Sequence, residues 1–141
     1  MKLNIKKLHP EAKLPKYAHD TDSGMDLFAL NDMAIKPGEI AHIETGIAID
    51  LPRGYAALVW DKGSIGMVHG LKTLGGVFDA GYTGDYTIGL INLSDKNYKV
   101  EKGSKVAQLL IQKIEHPEII EVKKLKKTKR GSNRFGSTGK K

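Results

Sequence analysis

The stretch GGVFDAGYTGDYTIGLINL, residues 75–93, decides the fold class. Apolar, aromatic and β-branched residues form short runs here, and glycines at positions 81 and 84 interrupt them. Runs of this length between turn residues are typical of β-strands. The same pattern recurs in KLNIKKL (2–8), IAHIET (40–45), GIAIDL (46–51), YAALVW (55–60), KVAQLLIQKI (105–114) and IIEV (119–122). No long window keeps a helical period, so we predict an all-β subunit, a distorted jelly roll or a β-barrel-like sandwich.

Length and composition predict a single domain with a distinct tail. The 141 residues are enough to bury a core, and the absence of cysteine fits a reducing compartment. We find neither a signal peptide at the start nor a segment that could span a bilayer, so we expect a cytoplasmic protein. A composition break near residue 123 divides a folded body, residues 1–122, from a basic linker and glycine-rich end, residues 123–141.

The net charge of +7 is concentrated in this tail. Residues 123–141 hold nine of the 23 lysines and arginines and no acid, so 14 basic and 16 acidic residues remain, a body near −2. Such a tail attracts polyanions, either a nucleic-acid backbone or the triphosphate of one nucleotide.

Three stretches of the body could carry chemistry. Asp79 follows an apolar run and precedes a glycine turn, with Tyr82 on the other side of the turn. Partial desolvation there would raise the pKa of the Asp79 carboxyl and make it a better base. Alternatively, Asp79 merely accepts hydrogen bonds from backbone amides of the turn. Asp26 interrupts the apolar run 25–30, so it either faces a cation inside or faces solvent on an edge. The loop after Trp60 offers Lys62, Ser64 and backbone amides to phosphate oxygens, or is an ordinary connection.

The end of the chain, RGSNRFGSTGKK (130–141), cannot bury enough apolar surface to fold alone. It combines forked arginine donors, hydroxyls, glycines and one phenylalanine that could stack on a base. A disordered, solubilising terminus is the alternative.

The order of these stretches resembles the dUTPase family. Five motifs follow one another between residues 22 and 139: Asp-x-Gly-x-Asp-Leu-x-Ala, a Lys-Gly-Ser loop, Gly-Val-x-Asp-x-x-Tyr-x-Gly, Gly-x-Lys-x-Ala-Gln-Leu, and Arg-Gly-x-x-x-Phe-Gly-Ser-Thr-Gly. The resemblance implies a homotrimer of jelly-roll-like subunits that hydrolyses dUTP to dUMP and pyrophosphate. Each site would be shared between subunits, with the tail of one closing the site of another as a lid.

The resemblance also implies a role for each matching residue. Asp79 would activate the water that attacks the α-phosphorus, and Asp26 would help hold Mg²⁺ through bound water. Tyr82 would pack on the deoxyribose and exclude a 2′-hydroxyl, and Gln108 would lie near the α-phosphate. The whole implied substrate-binding set is Lys62, Gly63, Ser64, Gly76, Val77, Phe78, Tyr82, Gln108, Arg130, Phe135, Gly136, Ser137 and Thr138.

The chain departs from the family pattern in several places. The second motif usually reads Pro-Arg-Ser-Gly or Pro-Arg-Ser-Ser, but here it is DKGS, residues 61–64. Ser104 and Lys105 stand where Asp-Arg is usual, and Gly81 replaces a frequent second aspartate.

Two alternatives remain at this point. A dCTP deaminase shares the fold but needs a glutamate in a Thr-Leu-Glu-Leu strand, where this chain has Gly89. A non-enzymatic nucleic-acid binder would use the lysine run 123–129. We expect neither a stable nucleic-acid complex nor a membrane contact.

Overall fold

The protein is almost entirely β-structure. The computed structural model describes residues 1–134. Eleven strands lie in this part of the chain: β1 Asn4–Lys7, β2 Met25–Phe28, β3 Met33–Ile35, β4 Ile40–Ile43, β5 Ile47–Asp50, β6 Tyr55–Trp60, β7 Leu71–Leu74, β8 Val77–Asp79, β9 Ile88–Asn92, β10 Tyr98–Val100 and β11 Lys105–Lys113. A single π-helical turn, Ser64–Val68, is the one helical element of residues 1–134. The predicted all-β class is confirmed.

The strands form four small antiparallel sheets. Their orders are β1-β5, β10-β3, β2-β11-β6-β8 and β4-β9-β7. Neighbours in a sheet are mostly distant along the chain, as in a jelly roll, where strands cross between sheets. The four-stranded sheet contains β2, β8 and β11, which carry five of the predicted site residues, and β6, which pairs with β8 and β11; it therefore organises the candidate site.

One apolar core lies between the sheets. Strands such as β9 bury alternate side chains, because successive residues of a strand point to opposite faces. Every sheet contributes to this core, whose largest fully buried side chains are Leu27, Ile35, Ile47, Ile49, Leu71, Tyr86, Ile88, Leu90 and Leu109. Burial of this kind contributes about 1.5–3 kcal/mol for each large apolar side chain.

The predicted strand IIEV, residues 119–122, is wrong. The chain makes no strand between β11 and residue 134, and Ile119 is 95% exposed. A β-branched tetrapeptide forms a strand only when another strand pairs with it and a surface covers one face, and the single chain offers neither. No helix among residues 1–134 is long and apolar enough to cross a membrane.

Candidate active site

Asp26 lies on the outer face of the four-stranded sheet between two ammonium groups. Its carboxylate is nearly buried and accepts hydrogen bonds from Lys62 Nζ at 2.7 Å and Lys105 Nζ at 2.6 Å. Burial raises the pKa of the Asp26 carboxyl, but the hydrogen bonds and charges of Lys105 and Lys62 outweigh burial and hold the pKa below its ordinary value. Of the two alternatives left open for Asp26, the structure shows a carboxylate that meets cations: it is buried by its lysine partners although it lies on the outer face of the sheet.

Gln108 stands directly opposite Asp26 in the register of β11 with β2, and opposite Trp60 in the register with β6. Its Nε2 donates to the backbone oxygen of Asp61 at 2.8 Å, which fixes the amide over the start of the loop 61–64. A Cβ on Gly24 would lie 2.9 Å from Gln108 Oε1, so glycine is needed there for the amide to keep its place.

The loop after β6 is held by Asp61, a residue that the sequence analysis did not single out. Its carboxylate accepts from the backbone nitrogen and the hydroxyl of Thr73, both at 2.7 Å, and from Lys72 Nζ at 2.6 Å. These bonds tie the loop to β7. Lys62 then reaches Asp26, while Gly63 and Ser64 are exposed at the entrance to the π-helical turn.

These groups line a polar cavity of about 430 Å³. The cavity is lined by Ala18, His19, Asp22, Ser23, Gly24, Asp26, Lys62, Lys105 and Gln108. The structure thus brings together Asp26, Lys62 and Gln108, one predicted residue each from the first, second and fourth motifs, whereas Gly63 and Ser64 do not line this cavity. Lys105 joins them, and the signal that could have found it was its place beside Gln108 in the fourth motif.

Residues 71–79, which comprise β7, a bend at Gly75 and β8, carry the start of the third motif and are called the hairpin below, although β7 pairs with β9 and β8 with β6 and the two do not pair with each other. Gly75 has φ +62° and makes the turn. A Cβ on Gly76 would lie 2.3 Å from the Val59 oxygen, because the backbones of β6 and the hairpin meet there. Glycine at 76 therefore has a structural reason within the chain. Val77, the first residue of β8, is 66% exposed and leaves an apolar surface beside the bend at Gly75.

Asp79 and Tyr82 flank the predicted glycine turn. The backbone N–H of Tyr82 donates to the backbone carbonyl oxygen of Asp79 at 3.2 Å, and Gly81 has φ +100°, so the turn is confirmed. The expected partial burial of Asp79 is wrong for the single chain, where its side chain is exposed. The reason is that β8 lies at the edge of its sheet, and no strand of residues 1–134 covers its outer side.

Tyr82 is held by an aromatic cluster. Its ring centroid lies 5.8 Å from that of Phe78 and 6.0 Å from that of Tyr86, and the last two rings are stacked at 4.2 Å. The Tyr82 hydroxyl donates to the Asp85 oxygen at 2.9 Å. A Cβ on Gly84 would lie 2.5 Å from that hydroxyl oxygen, so Gly84 lets the ring fold back onto its own turn. The exposed side of the ring is thus a rigid platform.

Asp79 and Gln108 lie far apart in one chain. Asp79 is opposite Ala56 at the start of β6, whereas Gln108 is opposite Trp60 at its end. Four residues along a strand and two strand spacings across it correspond to about 13 Å and about 10 Å. The hairpin and the polar cavity therefore form two separate half-sites in the single chain.

The tail contributes little structure to the described part. Arg130 folds back on itself, with Nε donating to the Asn133 oxygen at 2.9 Å and Nη2 to the Arg134 oxygen at 3.3 Å. The other predicted tail residues, Phe135, Gly136, Ser137 and Thr138, lie outside the described residues.

Residues 1–134 contain no group of three or more histidine, cysteine or acidic side chains that could hold a metal ion. Each carboxylate oxygen of Asp26 accepts a hydrogen bond from one lysine and keeps a further lone pair. The residues present therefore fit Mg²⁺ through metal-bound water at Asp26, not through a direct set of protein ligands.

The dUTPase family model matches residues 10–139 of this chain. The chain belongs to the dUTPase family. The deoxyuridine 5′-triphosphate nucleotidohydrolase of Clostridium tetani is 48% identical over 98% of this chain and 97% of its own length. The Helicobacter pylori protein of the same name is 40% identical over 99% of this chain and 97% of its own length. The resemblance read from the five motifs is confirmed.

Solved dUTPase structures share the fold. A variant dUTPase of Staphylococcus bacteriophage 80alpha with dUpNHpp aligns with a TM-score of 0.92 at 30% identity, over 98% of both chains. A variant from phage phi11 of S. aureus, whose structure reveals the coordination of a structural Mg(II) ion, aligns at 0.84 and 26% identity, over 90% of this chain and 100% of that one. The jelly-roll-like architecture predicted from the sequence is that of this family.

Proposed function

We propose that this protein hydrolyses dUTP to dUMP and pyrophosphate in a site assembled from two half-sites of different subunits. Family membership supports the substrate and the reaction. The separation of Asp79 from Gln108 supports a site assembled from different subunits. Both residues must approach the same α-phosphorus, and their short side chains cannot span the gap between them within one chain. A symmetric homotrimer, in which the hairpin of one copy meets the polar cavity of the next, satisfies this requirement.

Asp79 is the general base in this proposal. Its carboxylate accepts a proton from a water molecule, whose oxygen attacks the α-phosphorus in line with the leaving group. The bond from the α-phosphorus to the bridging oxygen of the β-phosphate breaks, and the electron pair leaves with pyrophosphate. The exposure of Asp79 in the single chain supports the role, since the base needs access to the substrate.

The polar cavity receives the triphosphate. Lys62 and the amides near Gly63 and Ser64 donate to phosphate oxygens, and Gln108 contacts the α-phosphate. When bound, Mg²⁺ would neutralise charge on the phosphate oxygens, held through water by Asp26. Arg130, Phe135, Gly136, Ser137 and Thr138 would come from the tail, which acts as the lid.

The hairpin and the turn after it, which carries Tyr82, select the nucleoside. Tyr82 packs on the deoxyribose from its aromatic platform and leaves no space for a 2′-hydroxyl. Backbone groups of residues 74–79, with Gly76, Val77 and Phe78, form the surface for uracil. A cytoplasmic location would fit this substrate.

The deaminase alternative is disfavoured by Gly89. It lies inside β9, between β4 and β7, and a Cβ there would be 3.0 Å from the Leu74 oxygen. The site of the deaminase's glutamate is thus a close backbone contact in this chain. The comparisons give no support to the nucleic-acid binder.

The test is pyrophosphate release from dUTP, dCTP, dTTP and UTP, with and without Mg²⁺, by the native chain and by Asp79→Asn. We expect release from dUTP alone, and a loss of at least about a hundredfold in kcat for Asp79→Asn with dUTP binding retained. The exposed Asp95→Asn is the matched control and should keep native rates. Conversion of dCTP would overturn the substrate, and a near-native rate for Asp79→Asn would remove Asp79 from the base role.

A further inference from the structure

Strand β11 contains a β-bulge beside the polar cavity. Gln108 pairs with Asp26 and Ala107 with Leu27, but Lys105, not Val106, pairs with Phe28. Val106 is the additional residue, and both Val106 and Ala107 are buried in the core. Bulges of this kind redirect a side chain and are over-represented next to active sites.

The bulge places Lys105 on the same face as Gln108. Side chains three positions apart in a regular strand point to opposite faces, so Lys105 would otherwise point toward the core. With the bulge it shares the outer face with Phe28 and Asp26, and its Nζ reaches Asp26 Oδ2 at 2.6 Å.

Asp26 thereby has two cationic partners, although one is enough to compensate its charge. Its side chain is 6% exposed, against 28% for Lys62 and 44% for Lys105. A carboxylate this buried is strongly destabilised when it is left without a partner. In the proposed function Lys62 binds phosphate, which requires it to leave or share Asp26.

We propose that Lys105 is a positioning residue for the reaction: by compensating Asp26, it releases Lys62 to bind the triphosphate. The inference rests on the proposed function, because it takes Lys62 as a phosphate ligand. Without Lys105, Lys62 would be the sole partner of Asp26 and would be held away from the substrate. Lys105 acts through Asp26 and needs no contact with phosphate.

A double-mutant cycle tests this pathway. The dissociation constant of dUpNHpp is measured by calorimetry without Mg²⁺ for the native chain, Lys105→Gln, Asp26→Asn and the double variant. In the native background Lys105→Gln should weaken binding about tenfold, because Lys62 stays on Asp26. In the Asp26→Asn background the same change should alter binding by less than about twofold, because nothing there holds Lys62.

Two further variants serve as references. Lys105→Arg should bind the analogue nearly as the native chain does, since a cation still reaches Asp26. Lys99→Gln removes the same charge from an exposed pair with Glu101 and should leave binding unchanged. Thermal unfolding of each variant identifies any loss that comes from misfolding.

The outcomes separate the two proposals. A tenfold loss that persists in the Asp26→Asn background would mean that Lys105 binds phosphate directly, and would overturn the positioning role. An unchanged affinity of Lys105→Gln in the native background would overturn it too. If instead the native chain neither binds dUpNHpp nor releases pyrophosphate from dUTP, the proposed function itself fails.

Discussion

Asp79 and Gln108 are paired to opposite ends of the same strand, β6, and on its opposite sides. Asp79 pairs with Ala56 through β8, and Gln108 pairs with Trp60 through β11. The sheet holds both positions rigidly, so a movement within one subunit cannot bring them together without breaking the ladder. If Asp79 and Gln108 act on the same α-phosphorus, as proposed, catalysis requires two subunits to meet at each site.

Replacing Tyr82 tests the sugar platform. Tyr82→Ala removes the ring that we propose packs on the deoxyribose, so the ratio of kcat/KM for dUTP over UTP should fall by at least about tenfold. The ratio is measured from pyrophosphate release with both nucleotides. An unchanged ratio would show that the 2′-hydroxyl is excluded by other groups.

Tyr86→Phe tests whether the buried hydroxyl of the aromatic cluster contributes to stability. Burial, with a smaller contribution from Tyr82, raises the pKa of Tyr86 to about 12, and its hydroxyl has no hydrogen-bond partner among the described residues. Removing an unsatisfied buried hydroxyl costs no hydrogen bond, so the stability of Tyr86→Phe should be equal or higher by about 1 kcal/mol. Urea denaturation measures it, and a clear loss of stability would reveal a partner for the hydroxyl.

Asp61 should make folding stability depend on acid. Burial raises the pKa of its carboxyl, but hydrogen bonds from Lys72 and Thr73 and the charge of Lys72 outweigh burial and hold the pKa below the ordinary 3.8. The folded pKa is thus below the unfolded one. The stabilisation from Asp61 is fully present at pH values above the pKa of Asp61 in the unfolded chain. It is lost as the pH falls through the lower pKa of Asp61 in the folded protein.

In Asp61→Asn the unfolding free energy should therefore fall less steeply with pH, at pH values below the ordinary pKa of aspartate, than in the native chain. Asparagine can still accept from Thr73 but carries no charge for Lys72, so the variant should be less stable at neutral pH and closer to the native chain in acid. Unfolding free energies between pH 2.5 and 7 measure the difference. Parallel curves for the two proteins would contradict the ion pair.

Removing residues 130–141 tests the lid. The truncated chain should keep its folded body, since all eleven strands of the described part end by Lys113, but its kcat/KM for dUTP should fall by at least about a hundredfold. Circular dichroism and pyrophosphate release measure the two properties. Full activity of the truncated chain would contradict the lid.

The sequence predicted the strands that carry their own pattern and missed those that depend on partners. Alternation and glycine turns indicated β4, β5, β6, β9 and β11. β3 and β10 have only three residues each, and they pair with each other across the chain, which no local pattern indicates. The opposite error occurred at residues 119–122, where strand composition has no pairing partner in the chain.

For the site, the motifs gave the residue types and the structure gave their contacts. Asp26 could face a cation or solvent; the structure gives it two cations, and the position of the second, Lys105, depends on a one-residue bulge. A bulge is a property of two paired strands and leaves no mark on either sequence alone. The role of Asp61 was missed for a similar reason, because its partners belong to the next strand.

Complementation between inactive chains tests the shared site most directly. One chain carries Asp79→Asn and the other carries both Lys62→Ala and Gln108→Ala, and the two are unfolded together and refolded in equal amounts. Random assembly of a symmetric trimer pairs an intact hairpin with an intact cavity in about a quarter of the sites, so about a quarter of native activity should return. Separately refolded chains mixed without exchange should stay inactive. Failure of the co-refolded mixture to gain activity, with trimers formed, would contradict a site shared between subunits.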